Sequence, residues 1–388
     1  MYEFLFALFL FSYQFKNAHF MPAELDLTII TAAILLPYSI FIILMNRKKL
    51  ILQDSCWFSL AFVLYALFSV MWGFEGFFVT RKAIIFAVFT APALFITRYI
   101  IAEHEARVKS FFYSILFLAT ITTFESYRVL FTSPNDIVTI LGNNYLVAGN
   151  TIGLGILFSL GLLKNQKSKA VLFLLQSLTG AMFVASLYLG GRGPVISLVI
   201  ALSVLGWLSY QSKGISCIKE YLPIAFCSLA FWLLIKTQSS VEQSELTKRV
   251  SEIITADGSV DKSLGLRFEY YKSAWQAFVE HPWKGLGFGS WPQYFGIGDV
   301  EYHPHNLVLE ILSELGIIGI LIFVAAIFEM LRIVEWRKIG ELNPATIACI
   351  SALVFTGLNA MKSGDINDNS ILFVVFAIMV GALKKEAY

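Results

Sequence analysis

Charge is scarce in this sequence. Asp, Glu, Lys and Arg together make up 14% of its 388 residues, against 57% hydrophobic ones. A soluble globular domain carries roughly 25% charged residues, so a water-soluble fold is excluded. Several chemical signatures are missing too. There is no P-loop, no dinucleotide fingerprint, no His-Glu-x-x-His helix and no Gly-x-Ser-x-Gly elbow. No acidic residue stands out mid-span as a proton relay, so neither ATP nor an ion gradient is expected to drive the protein. The four cysteines, Cys56, Cys217, Cys227 and Cys349, fall in apolar runs or in loops assigned to the cytoplasm. None lies in the long loop described below, which therefore has no disulfide staple and no Cys-based zinc site. The net charge of +2 comes from basic residues in short tails between apolar runs. That pattern gives nucleic acid no basic face.

What the sequence does have is apolar runs, each near the ~20 residues needed to span a bilayer. Twelve candidate spans cover approximately 2–20, 27–46, 56–78, 82–102, 108–125, 146–164, 170–190, 193–210, 220–236, 307–331, 344–361 and 370–383. The first lacks a basic n-region and a small-residue cleavage site, so it reads as a retained span. Basic residues fix the orientation. With the N-terminus inside, the inner loops hold Arg47, Lys48 and Lys49; Arg107 and Lys109; Lys164, Lys167 and Lys169; Lys213 and Lys219; Arg332, Arg337 and Lys338, and the tail adds Lys384 and Lys385. The short outer loops hold only Arg81, Lys82, Arg128, Arg192 and Lys362. The expected fold is an all-α polytopic membrane protein of about twelve transmembrane helices with both termini cytoplasmic. Residues 1–236 hold spans one to nine, 237–306 one large outer loop with short helices, and 307–388 the last three spans.

The long loop divides in two. Residues 239–262 are polar and expected to be loosely ordered. From Leu266 to Glu280, Arg267, Tyr271, Trp275 and Phe278 recur at helical spacing, which predicts an amphipathic helix on the membrane or over a cavity. His281-Pro282 ends it. Gly285-Leu286-Gly287-Phe288-Gly289 reads as a flexible turn. Trp291, Tyr294 and Phe295 follow, aromatics that suit the headgroup zone or a sugar face.

Ionisable residues at the outer face are the candidates for chemistry. Arg192, in Gly190-Gly191-Arg192-Gly193-Pro194, sits in a tight turn where a guanidinium can bind a diphosphate bidentately or snorkel to lipid headgroups. Arg267 is either a second phosphate clamp or a solvated charge on the loop helix. His303 and His305 offer a general base or an interfacial anchor. Their His-x-His spacing lacks a convincing third metal ligand. Arg81-Lys82 runs against the positive-inside trend and suits either an anionic ligand or headgroups. Lys362, Asp365 and Asp368 line the last outer loop as a solvated turn or an acceptor contact.

The stretch from Arg267 to Trp275, then His281-Pro282-Trp283-Lys284-Gly285-Leu286-Gly287, then His305-Asn306, and finally Glu314-Leu315-Gly316-Ile317-Ile318-Gly319 resembles the O-antigen ligase and polymerase superfamily. In its ligase branch a His followed by Asn, Ser or Gln leads after nine residues to Gly-x-x-Gly, as His305-Asn306, Gly316 and Gly319 do. Ile320 departs from the small residue that often follows. The Arg192 turn also resembles the family's Arg-Gly turn. The resemblance implies a GT-C-like glycosyltransferase of the inner membrane that acts in lipopolysaccharide biosynthesis. It would be inverting, would need no metal, and would move a glycan from undecaprenyl diphosphate to an acceptor sugar hydroxyl. The acceptor would be lipid A-core for a ligase or a growing glycan for a polymerase, with ligase slightly favoured. It implies His305 as base and Arg192 and Arg267 as catalytic cations. Arg81, His303, Asn306, Trp275 and Tyr271 would contact substrate, Asn306 orienting the imidazole or holding a sugar hydroxyl. A flippase for the same lipid-linked glycan suits twelve spans equally well, but it calls for central cationic residues and inverted repeats. A non-catalytic scaffold explains the topology but not a His and two Arg on one outer surface.

Overall fold

The structure, a computed structural model, describes residues 1–16, 18, 22, 26–45, 56–132, 139–163, 166–189, 191–214, 216–236, 262–334 and 342–383. The polar stretch from 239 to 261 lies outside them, as do Arg47, Lys48, Lys49, Lys164, Gly190, Arg337, Lys338, Lys384 and Lys385. Among the described residues the chain is helical almost throughout. The first eight helices are α1 (Tyr2–Lys16), α2 (Leu27–Met45), α3 (Trp57–Trp72), α4 (Phe77–Ile101), α5 (Glu105–Thr132), α6 (Tyr145–Leu162), α7 (Lys169–Tyr188) and α8 (Arg192–Lys213). Then come α9 (Ser216–Lys236), α10 (Lys262–Glu280), α11 (Trp291–Phe295), α12 (Leu307–Leu331), α13 (Pro344–Ala360) and α14 (Ser370–Ala382).

Each of the twelve expected spans falls on a helix. Seven of these helices, α2, α4, α5, α6, α7, α8 and α12, are long and apolar enough to cross a membrane by themselves, and α3, α13, α14 and the apolar part of α9 are shorter apolar helices. Two boundaries differ from expectation for readable reasons. Helix α5 runs past 125 because Arg128 donates to the Glu125 carboxylate at 2.8 and 2.7 Å, an i,i+3 pair that supports another turn. Arg192 is not in a turn but opens α8, where Gly191 is the N-cap and Pro194 falls in the first turn, the place a helix tolerates proline.

The chain forms two compact units, each assembled from separated pieces of sequence. Unit one comprises Met1–Leu35, His104–Asp257 and Trp336–Thr356; unit two comprises Leu36–Glu103, Gly258–Glu335 and Gly357–Tyr388. Unit one is glued by rings and small polar side chains. Phe112 stacks on Phe158 at 4.2 Å, Gly155 admits Ala119 where a Cβ would clash, and Gln14 bridges Thr122 and Thr151. Such buried bonds hold apolar helices in one register. The Leu141-Gly142 turn, both residues at positive φ, closes a two-residue antiparallel ribbon.

Unit two has an apolar core of Phe62, Phe86, Phe288, Leu307, Ile311 and Leu315 with Ala360 and Ile366. Two carboxylates cap its helices from a distance in sequence. Glu329 accepts from the N–H groups of Trp57 and Phe58 at 3.0 and 2.8 Å, and Asp299 from those of Phe77 and Phe78 at 2.6 and 2.9 Å. Each satisfies N–H groups that the first turn of a helix leaves without partners.

A candidate active site at the head of α12

Unit two holds every predicted site residue except Arg192, which lies in unit one. The region around His305 is built by a backbone lock. Helix α12 breaks its regular geometry at Gly316, with φ +65 and ψ −163. The segment after α10 docks into that break. Leu286 and Gly287 donate to the carbonyls of Ser313 and Glu314 at 2.9 and 2.8 Å, and Ile317 and Ile318 donate to those of Pro282 and Trp283 at 2.8 and 3.2 Å. The approach is so close that a Cβ on Gly316 would lie 2.5 Å from the Trp283 carbonyl oxygen, and one on Gly285 would lie 2.3 Å from the Glu314 backbone. Both positions also need positive φ, so glycine is required twice over. The expected flexible turn at Gly285–Gly289 is therefore corrected. These glycines allow a buried backbone contact, and Gly316, the first glycine of the Gly-x-x-Gly after His305, is the other half of it.

Beneath the lock lies an ionic knot that the sequence reading did not find. The Lys82 ammonium sits 2.6 Å from the Glu310 carboxylate and 2.8 Å from that of Glu314, with all three side chains essentially inaccessible. Glu314 also accepts the Gly289 N–H at 2.8 Å, Glu310 accepts that of Ile366 at 3.3 Å, and Lys82 lies over the Phe288 ring. One residue thus ties α4, α12, the glycine segment and the loop between α13 and α14 together. The expectation that Lys82 meets an anionic ligand or headgroups is corrected, because two carboxylates already hold it. A signal was available: Glu310 and Glu314 share one face of an apolar helix, and two buried carboxylates need a cation. Arg81, the preceding residue, points elsewhere and pairs with exposed Glu301.

The loop helix α10 spans the expected residues and ends at Glu280, but its face is rotated. Tyr270, Ala274 and Ala277 are buried, Arg267, Tyr271 and Phe278 flank them half-buried, and Trp275 is exposed. Small Ala residues at 274 and 277 let the helix pack closely, which Trp275 could not. Trp291 is also corrected. It is fully buried, stacked on Phe295 at 5.1 Å and edge-on to Tyr270, and so cannot meet a sugar. Tyr294 donates instead to Glu280 at 2.7 Å.

His305 sits at the head of α12 with φ +58, a backbone state uncommon for a residue with a side chain. Its ring contacts that of His303, with centroids 4.3 Å apart, and lies among Tyr302 and Tyr270 at 5.6 and 5.9 Å. The two tyrosine hydroxyls are 3.0 Å apart. His305 Nδ1 and His303 Nε2 are buried without a hydrogen-bond partner. Burial pushes the His305 imidazole down to about 3, helped by His303 and by the Arg267 guanidinium. Burial lowers His303 as well, against the pull of Asp365. Both rings are neutral at pH 7.

Asn306 is the N-cap of α12. Its side-chain oxygen accepts from Leu309 N–H at 3.0 Å, and its amide donates to the Met361 carbonyl at 3.3 Å. Tyr271 donates to that same carbonyl at 3.3 Å and approaches the His305 carbonyl at 3.5 Å. These two predicted substrate contacts are thus used to fix the frame around His305. The structure gathers Arg267, Tyr271, His303, His305 and Asn306 in one place, with Arg81 and Trp275 exposed in the same unit.

Comparison with known proteins agrees with the resemblance. The family model described as O-antigen ligase matches residues 177–324. That range contains Arg192, Arg267, His303, His305, Gly316 and Gly319. A protein of Rickettsia prowazekii (strain Madrid E), provisionally described as a polysaccharide ligase, is 29% identical over 93 residues, 21% of this chain. The match spans 23% of that relative's length, about a quarter.

Proposed function

From a membrane protein whose residues 177–324 match the O-antigen ligase family, we propose an inverting, metal-independent glycosyltransferase. It transfers a glycan from undecaprenyl diphosphate to an acceptor sugar hydroxyl at the periplasmic face of the inner membrane, with lipid A-core as the acceptor. The observation that carries this reading is His305: a neutral imidazole held in a strained backbone state, inside the field of Arg267.

A single displacement needs a base for the acceptor and charge stabilisation for the leaving group. The acceptor oxygen attacks the anomeric carbon as the bond from that carbon to the diphosphate oxygen breaks. The electron pair leaves with the diphosphate, and the hydroxyl proton passes to the His305 imidazole. Burial and the Arg267 guanidinium keep that ring unprotonated, the state a base must be in before the reaction. The diphosphate arriving beside it offsets that cation and raises the ring's proton affinity as the proton comes free. Arg267 takes up the charge developing on the diphosphate, a role suited to a bidentate guanidinium. Arg192 is retained as a further cation of the reaction on the strength of the resemblance of Arg192-Gly193 to the family's Arg-Gly pair.

The test is the surface glycan ladder of cells lacking the gene and complemented with variants. His305→Ala, Arg267→Ala and Arg192→Ala are expected to insert normally yet leave bare core, with full-length polymer still on its undecaprenyl carrier. Core bearing a single repeat unit would assign a polymerase instead. An unchanged ladder on deletion sinks both readings, and a fully active His305→Ala variant removes His305 as the base.

A further inference from the structure

We propose that His303 positions the base: its Nε2 accepts a hydrogen bond from His305 Nδ1–H and so leaves His305 Nε2 to take the acceptor proton. This rests on the function proposed above and gives His303 a role in it other than contact with substrate.

His305 Nδ1 and His303 Nε2 are both buried without a hydrogen-bond partner, on rings whose centroids are 4.3 Å apart. His305 Nε2 is not enclosed in this way. A buried polar atom without a partner is costly, and two such atoms on touching rings remove that cost by meeting each other. A neutral imidazole carries one donor and one acceptor nitrogen, so the two rings are complementary once His305 Nδ1 bears the proton. The other neighbours of His305 are committed or unsuited. The Tyr270 and Tyr302 hydroxyls are bonded to each other at 3.0 Å, and a guanidinium such as that of Arg267 has donors only.

The backbone of the pair is held while its rings can turn. Pro304, between the two, is buried and has a locked φ. Asn306 caps α12, and Tyr271 approaches the His305 carbonyl at 3.5 Å. The rings stand edge to face at 72°, and an imidazole turns about χ2 in a broad well. A turn there lets the nitrogens meet without moving the chain. When His305 Nε2 takes the acceptor proton the ring becomes a cation, and its Nδ1–H bond to His303 becomes a charge-assisted one.

The experiment uses full-length protein in nanodiscs, with undecaprenyl-linked polymer and lipid A-core extracted from cells lacking the gene. His303→Leu is expected to lower kcat about tenfold or more, part of the ~10²–10⁴ that a base contributes, with the donor KM held. His303→Gln, whose side-chain oxygen can stand in for Nε2, is expected to recover most of that loss. His303→Glu sets an anion against the base and should move the acidic limb of the pH–rate profile upward by about one unit or more. The other titratable and charged groups acting on the two rings are Arg267, Tyr270, Glu301, Tyr302, Asp365 and Lys82, and they stay the same in every variant. The bond itself is read by nitrogen NMR with labelled histidine, of which the chain has five. His305 is expected as the Nδ1–H tautomer in wild type and to lose that preference in His303→Leu. An Nε2–H tautomer in wild type overturns the proposal, as does an unmoved limb in His303→Glu or a loss in His303→Gln equal to that in His303→Leu. These readouts decide even where His303→Leu does not fold. If His305→Ala is inactive while His303→Leu is fully active, only the role of His303 fails. If wild type transfers nothing, the reaction proposed above fails and takes that role with it.

Discussion

Two cationic sites in unit two solve opposite problems. At Lys82 one ammonium is enclosed by two carboxylates, and every partner is a part of the fold. At Arg267 a guanidinium acts on the neutral imidazole of His305, whose buried Nδ1 lacks a hydrogen-bond partner. A buried charge that is matched locally is architecture. A cation set beside an uncharged base describes a ligand. The sequence gives little hint of this difference, because Lys82 and Arg267 both read as outer-face basic residues.

The most damaging way to break the contrast is at Lys82. Removing one partner of a buried ionic group costs about 3–5 kcal/mol, and Lys82→Met would leave two carboxylates in an apolar core. We expect poor accumulation and a large fall in melting temperature in detergent. Adding Glu310→Gln and Glu314→Gln should restore much of that loss, since replacing a whole buried set costs far less than breaking it. If the single variant melts like wild type, the knot is not the hub described here. A triple variant that stays folded but does not transfer glycan would move the knot from architecture to function.

A smaller effect comes from His305. Its folded proton affinity is depressed to about 3 from an ordinary value near 6.5, so the unfolded chain binds a proton more readily between these values. The neutral ring's contribution to stability is complete above pH 6.5 and fades as pH falls toward 3. His303 is shifted in the same direction. Wild type should therefore lose more melting temperature between pH 7 and pH 4 than His305→Gln does. Parallel curves would mean that His305 is not held neutral by burial.

Helix existence was legible from apolar periodicity alone, and the two His, Arg267 and the glycine pattern were legible as a motif. What each motif residue does was not. The Gly-x-x-Gly spacing marks a signature, but only the contact of residues 282–287 with 313–318 shows that it is a backbone lock. Asn306 looked like a partner for the imidazole and is a helix cap, because Asn suits both and sequence does not report which N–H it faces. The buried face of α10 was misjudged because aromatic residues weigh heavily in any periodicity count. The packing instead uses Ala274 and Ala277, small enough for the helix to sit close. Lys82 was missed because its two partners lie more than 220 residues away.

The smallest expected effect concerns Arg81, read from sequence as a substrate contact. Its guanidinium pairs with Glu301, and both side chains are well exposed, 43% and 60%. Exposed pairs of this kind contribute about 0–1 kcal/mol, so Arg81→Ala should barely change the melting temperature. Asp299 holds the start of α4 through backbone N–H groups that the variant leaves intact. Transfer should also stay within about twofold of wild type, because a cation already matched by a carboxylate has less attraction left for a diphosphate. A tenfold loss of transfer in Arg81→Ala, with a gain in Glu301→Gln that vanishes in the double variant, would show that Glu301 restrains Arg81 for substrate. The contrast would then separate Lys82, a cation of the fold, from both Arg81 and Arg267.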